Sequence, residues 1–371
     1  MQVQVTSRTP CGVPDGWAVV DERGLPHLEV TQFLHYLANI ERSPNTIRAY
    51  AYDLALYLNF LHGRDRSLDD ATTELLAQFA RWLRNPHEAV MAMTDAQATR
   101  SRSTANRALA AVAAFYNYLG SKEDGTQGAD AWKRLAASAN EYRRPPRTVV
   151  DNVAAKHRRT RTAQRLGPRL PGTRKAQNVL SRDEITQLVA ACPDLQTELF
   201  VSLAATVGLR LGQILALRHS DIDTRIRALT IDGTRTNDNG AHVKTRSIHQ
   251  LPMSKYVSRL YTRYMHEEYG WIDSDYVFVR IKGPNIGRPL TPSAIYHRTD
   301  QLKRKTGIFD WSPHTLRHSF VTHLLEDGVP VDVVSKLATH RTWQTTLDVY
   351  DHRTLDNLRA AIEDADAWGG R

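Results

Sequence analysis

Along the first third of the chain, apolar residues recur at helical spacing. Val30 to Asn39 is the first such stretch. In the second, Ile47, Tyr50, Ala51, Leu54, Leu58 and Leu61 fall on one stripe, and Ser43 followed by Pro44 supplies an N-cap and a first helical residue. A third helix is predicted over about Thr73 to Arg84. A fourth starts at Ser103, repeats Leu109, Val112, Phe115, Tyr116 and Leu119, and stops at Gly120. Together they predict a small all-helical domain over 28–120. Ahead of it lies an arm, 1–27, in which Gln2 to Val5 and Trp17 to Val20 alternate at strand period around Pro10, Gly12, Pro14 and Gly16, the pattern of a β-hairpin.

From Ser121 to Asn178 the periodicity fades and Pro145, Pro146, Pro168 and Pro171 punctuate the chain, so 121–178 reads as a linker. Regular structure resumes at Leu180-Ser-Arg-Asp-Glu184, a capping box that opens a second domain, 179–371. Glu198 to Thr206 and Leu211 to Leu217 are predicted helices on either side of a turn at Gly208-Leu-Arg210. Ala228 to Ile231 and Val243 to Leu251 are predicted strands, joined through the turn-rich stretch Thr234 to Gly240. Further helices are predicted at about 254–268, 292–305, 314–326, 331–338 and 353–367. The fold class is therefore α+β and mainly helical, with no internal repeat and no Walker-type phosphate loop.

The 371 residues suit two domains, and a hydrophobic fraction of 41% is enough to give each a core. No apolar run approaches the ~20 residues of a membrane span, and the polar opening lacks a signal-peptide core. A soluble, cytoplasmic chain with no membrane partner is expected. Cys11 and Cys192 are far apart and outside any CxxC context, which excludes a disulfide framework or a zinc site; Cys192 is expected as a buried small apolar residue.

The formal charge of +9 points to a polyanionic partner, without separating DNA from RNA or an acidic membrane. Its distribution says more. Between Tyr142 and Lys175 there are eleven basic residues and one acid, Asp151. Such a tract is either solvated and disordered or a strap lying on phosphates, and its place between two domains favours the strap. The candidate DNA-binding residues are Arg143, Arg144, Arg158, Arg159, Arg161 and Arg165 on the linker, with Arg48 and Arg107 on the helical domain.

Breaking a phosphodiester by transesterification without a metal needs a nucleophile, cations on the nonbridging oxygens, and a proton for the departing oxygen. The second domain offers, in order, Arg210 in Gly208-Leu-Arg-Leu-Gly-Gln213, Lys244 in the second predicted strand, His314 and Arg317 in Pro313-His-Thr-Leu-Arg-His318, His340 in Ala338-Thr-His340, and Tyr350 in Thr345-Thr-Leu-Asp-Val-Tyr350. The ordered set resembles the tyrosine recombinase, or phage integrase, family. Its spacing makes it specific: Lys244 stands eight residues before Pro252, His314 and Arg317 form an HxxR pair, and Tyr350 lies ten after His340. Ser43-Pro-Asn-Thr-Ile-Arg-Ala-Tyr50 is similar to the family's core-binding opening.

The resemblance implies an all-α, SAM-like core-binding domain and a tyrosine recombinase catalytic domain with a small β-sheet. It also implies site-specific recombination through a 3′-phosphotyrosyl intermediate, with Tyr350 as nucleophile, Arg210 and Arg317 on the phosphate, His314 in proton transfer, Lys244 as donor to the 5′ oxygen, and His340 donating to a phosphate oxygen. His318 would support the fold. No cofactor, ATP or metal is implied. The implied partners are double-stranded DNA, a tetramer of this chain on two duplexes with helix 353–367 docking on a neighbour, and accessory recombination proteins, all at the nucleoid. A type IB topoisomerase-like enzyme and a non-catalytic DNA-binding protein on the same fold are the alternatives. The stretch around Ser43 to Tyr50 and Asp273-Ser-Asp-Tyr-Val-Phe278 resemble the site-specific transposases of mobile elements within the family. Two motifs depart from the family pattern: Gln213 stands where an acid is common, and Ala338-Thr339-His340 replaces Leu-Gly-His. An amide can hydrogen-bond but supplies no charge.

Overall fold

The computed structural model describes residues 4–6, 17–85, 99–122, 128–141, 167–171, 178–241, 243 and 247–339. The chain divides into two compact units, Met1–Arg174 and Lys175–Arg371.

In the first unit, strands β1 (Gln4–Thr6) and β2 (Ala18–Val20) pair antiparallel, Gln4 opposite Val20, as the alternating pattern predicts. Five helices follow: α1 (Leu28–Asn39), α2 (Pro44–His62), α3 (Thr73–Arg84), α4 (Arg102–Leu119) and α5 (Ala129–Glu141). Ser43, Thr72 and Ser101 cap α2, α3 and α4 by accepting the amide three residues on, which satisfies a donor that a helix start leaves unpaired. The apolar stripes meet in an aromatic-rich core holding Phe33, Tyr57, Phe60, Phe79, Phe115 and Tyr116. Within it the hydroxyls of Tyr57 and Tyr116 are linked at 3.0 Å, and Tyr116 donates onward to the Leu68 carbonyl at 2.8 Å. Burial pushes both phenols well above their ordinary pKa, so both stay protonated and able to donate.

The linker reading over 121–178 needs correction here. Helix α5 lies inside that range and buries Ala131, Leu135 and Ala136 in the same core. Gly120, expected as a simple helix stop, has a further reason to be glycine: a Cβ there would lie 2.2 Å from the Trp132 ring. A second piece of the range, around Leu170, is also held on this unit. The Asn106 side chain donates to the Leu170 carbonyl at 3.0 Å and accepts its amide at 2.9 Å. The candidate residues Arg143, Arg144, Arg158, Arg159, Arg161 and Arg165 lie outside the described residues.

The second unit begins with the expected capping box, Ser181 accepting from Glu184 N and the Glu184 carboxylate accepting from Ser181 N, ahead of α6 (Arg182–Ala190). Helix α7 (Leu195–Ser202) widens into a π turn (Leu203–Val207) that ends at Gly208, and α8 (Leu211–Leu215) follows. The sheet has three antiparallel strands in the order β3 (Ile222–Asp223), β4 (Ala228–Asp232) and β5 (Ile248–Pro252). Leu229 pairs with the buried Leu251, which sets the register. The short β3 was not anticipated, and β5 begins at Ile248 where the sequence pattern suggested Val243. Helices α9 (Lys255–Tyr264, extended by a π turn over Met265–Tyr269), α10 (Pro292–Thr306), α11 (Pro313–Glu326) and α12 (Val331–Leu337) complete the described part. The predicted helix at 353–367 and residue Cys11 fall outside it. Cys192 is half-buried rather than enclosed; desolvation raises its thiol pKa to about 12. Among the described residues no helix is long and apolar enough to cross a membrane.

Candidate active site

Three motifs that are distant in sequence converge within the second unit: the Gly208-Leu-Arg210 turn, the start of α11, and the Ala338-Thr339 turn that closes α12. Gly208 takes φ +73°, the left-handed conformation that ends the π turn, and a Cβ at this position would stand 2.3 Å from the Phe320 ring. Glycine is needed here on both counts. The chain then turns out to Arg210, which is the N-cap residue of α8.

Helix α11 carries His314 and Arg317. Ser312 caps it and Pro313 occupies the first helical position, where its missing N–H costs nothing. Arg317 points inward and is only 2% exposed. Its guanidinium donates through Nη1 to the Gly208 carbonyl and through Nη2 to the Ala338 carbonyl. Gly208 and Ala338 are both C-cap residues, so the arginine sits where two helical segments present carbonyls at their negative ends. That is what makes burying a cation tolerable at this point. The neighbouring Ser319 accepts the Leu180 amide at 2.8 Å, so α11 also anchors the entry of the chain into this unit.

Arg210 is half-buried. Its Nη1 donates to Thr339 Oγ1 at 2.9 Å, and its own amide donates to Gln213 Oε1 at 2.8 Å. Gln213 is 1% exposed, and its Nε2 donates to the same Thr339 hydroxyl at 3.1 Å. The two arginines thus meet the turn at adjacent residues, Arg317 at Ala338 and Arg210 at Thr339, and His340 is the next residue along the chain. His340, Tyr350 and Lys244 lie outside the described residues.

His314 is exposed, and its ring lies 4.0 Å from that of His318 in an edge-on contact. His314 stands three residues ahead of Arg317 on the same helix and stays at the surface, while the two backbone carbonyls hold the arginine in the interior.

On the helical unit Arg48 is exposed and stacks over Trp17, 5.2 Å from the ring centroid, with Tyr52 at 5.9 Å. Arg107 makes a bidentate pair with Asp53, both bonds 3.0 Å, and Asp53 is 2% exposed. Asp53 went unnoticed in the sequence, although it is an acid among the apolar positions of α2. Thr339 stood out in the sequence only as a departure from the family pattern, with no sign of its contacts to Arg210 and Gln213.

The profile of the Phage integrase family matches residues 178–356, and that of the phage integrase N-terminal SAM-like domain matches 30–123. Transposase A from transposon Tn554 of Staphylococcus aureus is 32% identical over 332 residues, 89% of this chain and 88% of that protein. The chain belongs to the phage integrase family of tyrosine recombinases. The activity class follows with the family: tyrosine-type, site-specific DNA recombination. Another member, the tyrosine recombinase XerA of Pyrococcus horikoshii, is 30% identical over 198 residues, 53% of this chain and 64% of that protein. The same fold occurs in the Tn1549 transposon integrase solved in complex with transposon right-end DNA (TM-score 0.61, 16% identity, 91% of this chain and 99% of that one). It occurs again in a lambda integrase dimer bound to a COC' core site (TM-score 0.57, 14% identity, 89% and 96%).

Proposed function

We propose that this recombinase is the transposase of a mobile element and that it acts on double-stranded DNA through Arg210, Lys244, His314, Arg317, His340 and Tyr350. The observation that carries the reading is the convergence of Arg210 and Arg317 on the turn immediately preceding His340. The near end-to-end match to a transposon's transposase supports the mobile-element assignment.

The chemistry follows from the residue types. The Tyr350 hydroxyl attacks the scissile phosphorus and gives up its proton with the help of His314, forming the 3′-phosphotyrosyl bond. The 5′ oxygen leaves with a proton from Lys244. Arg210 and Arg317 present planar donor forks to the nonbridging oxygens as charge accumulates there, and His340 adds a further hydrogen bond. The bond energy stored in the phosphotyrosine is recovered when the 5′ hydroxyl of a partner strand attacks it. Four protomers on two duplexes bring that strand into reach, and the basic tract beyond α5 supplies sequence-independent phosphate contacts. Accessory proteins and a nucleoid location complete the reading.

A nicked suicide duplex spanning the DNA that flanks the gene tests it. Tyr350→Phe is expected to bind this duplex with near wild-type affinity and to give no covalent adduct. Adduct at the wild-type level from that variant overturns the assignment. A chelator is expected to leave the rate unchanged, because the cations are side chains; metal-dependent cleavage would place the chemistry elsewhere.

A further inference from the structure

Two of the positions at which this chain departs from its family's pattern, Gln213 and Thr339, are 126 residues apart in sequence and touch. We propose that they form a coupled pair of positioning residues that aim the Arg210 guanidinium through a neutral hydroxyl, where a carboxylate would otherwise take the arginine.

The bonds fix the logic. Gln213 Oε1 accepts the Arg210 amide, so the other end of that side-chain amide, Nε2, must face Thr339. The Thr339 oxygen has two lone pairs, and two N–H groups reach it: Gln213 Nε2 at 3.1 Å and Arg210 Nη1 at 2.9 Å. Gln213 and Thr339 are 1% and 3% exposed, so solvent has little access to replace the bond between them. An arginine held by a carboxylate shares its charge with that partner. A hydroxyl at that contact adds no charge of its own, and with the Thr339 carbonyl at 3.4 Å it fixes the direction of Nη1. Thr339 also sits at φ +47°, a left-handed conformation that a β-branched residue adopts at a cost and that glycine adopts freely. Relief is one substitution away, yet the hydroxyl is present, which is the mark of a side chain kept for its contacts.

The inference rests on the reading in which Arg210 holds the scissile phosphate, and the test separates the two. The full chain is given the nicked suicide duplex from the flanking DNA, and single-turnover adduct formation, DNA affinity and melting temperature are measured together. Thr339→Val keeps shape and backbone conformation but removes the hydroxyl, and is expected to lower the cleavage rate by about tenfold or more with affinity little changed. Thr339→Ser restores the hydroxyl and is expected to cleave within about threefold of wild type. Thr339→Gly is expected to melt at or above the wild-type temperature yet cleave as slowly as the valine variant, an opposition that a merely structural role cannot produce. Adding Gln213→Glu to Thr339→Gly is expected to recover much of the rate, because the carboxylate then takes the arginine directly. Cleavage by the valine or glycine variant at the wild-type rate overturns the proposal. So does a double variant no faster than Thr339→Gly alone. A wild-type chain that gives no adduct overturns the recombinase chemistry itself, and the pair with it.

Discussion

Each unit of the molecule buries a polar hub around an arginine, and the two hubs are built from opposite materials. In the helical unit the buried partner is the carboxylate of Asp53, and Arg107 reaches it from a half-exposed position with two 3.0 Å bonds. In the catalytic unit the arginine itself is buried: Arg317 rests on two backbone carbonyls, and Arg210 leans on a hydroxyl. A carboxylate neutralises its arginine, so the first hub is a clasp between α2 and α4. The acceptors described at the second are carbonyls and a hydroxyl, which orient the guanidinium without bringing a charge of their own, so it is a seat of neutral acceptors. The same residue type meets a charged acceptor in one place and neutral acceptors in the other.

The widest separation between the hubs should come from Arg317→Ala. It strands two enclosed carbonyls, each worth roughly 1–3 kcal/mol, and removes a phosphate ligand of the proposed mechanism, so the catalytic unit should lose several kcal/mol in denaturant titration and cleavage should vanish. A stable, cleaving variant would make the seat dispensable. Arg210→Ala should instead lower single-turnover cleavage by about a thousandfold, because its contacts strengthen as charge develops, while stability moves by about 1 kcal/mol or less. Arg107→Ala should show the reverse: a loss of roughly 1–3 kcal/mol in the helical unit, discounted because half the arginine is in solvent, and normal cleavage once DNA is bound.

The comparison sharpens further with salt. If Arg107 is committed to Asp53, its removal should leave the slope of log K against log salt unchanged, whereas Arg48→Ala, which removes an exposed cation stacked on Trp17, should flatten the slope by about 0.9. A flattened slope for Arg107→Ala would return that residue to the DNA interface. The smallest effect concerns acid. Burial holds the pKa of His219 below its ordinary value, so the fold favours the neutral ring; this stabilisation is complete above the ~6.5 of an unfolded histidine and is lost as pH falls through that value toward the lower folded one. The melting temperature of the second unit should drop between about pH 7.5 and 5.5, and less so in His219→Gln.

Helices α1 to α4 were legible because their apolar residues sit at i, i+3 and i+4 over long stretches, and Ser43-Pro44 marks a start that few other conformations use. Helix α5 was not: of Ala131, Leu135 and Ala136, which it buries, two are alanines that carry almost no periodic signal. The chemical groups of the site were legible as residue types in order. Their partners were not: Gly208, Ala338 and Thr339 hold the arginines through backbone carbonyls and one hydroxyl, and no spacing rule in a linear sequence reports where a carbonyl will point. Gln213 shows the limit from the other side. Its departure from an acid was plain, but its consequence depended on a threonine more than a hundred residues away.

The π turn over Leu203–Val207 takes up one residue just ahead of the Arg210 turn. An α-helix advances about 100° per residue, and a π turn holds one residue more than the α-helical turn it replaces. Removing Ala204 would let this stretch wind as an ordinary helix with its apolar surface nearly intact. Because the wide turn completes about the same rotation with one residue more, everything beyond it would keep its bearing, with the Gly208 carbonyl still toward Arg317 and Arg210 still toward Thr339. The wide turn is thus a place where the helix absorbs a residue without passing the change on to the arginines.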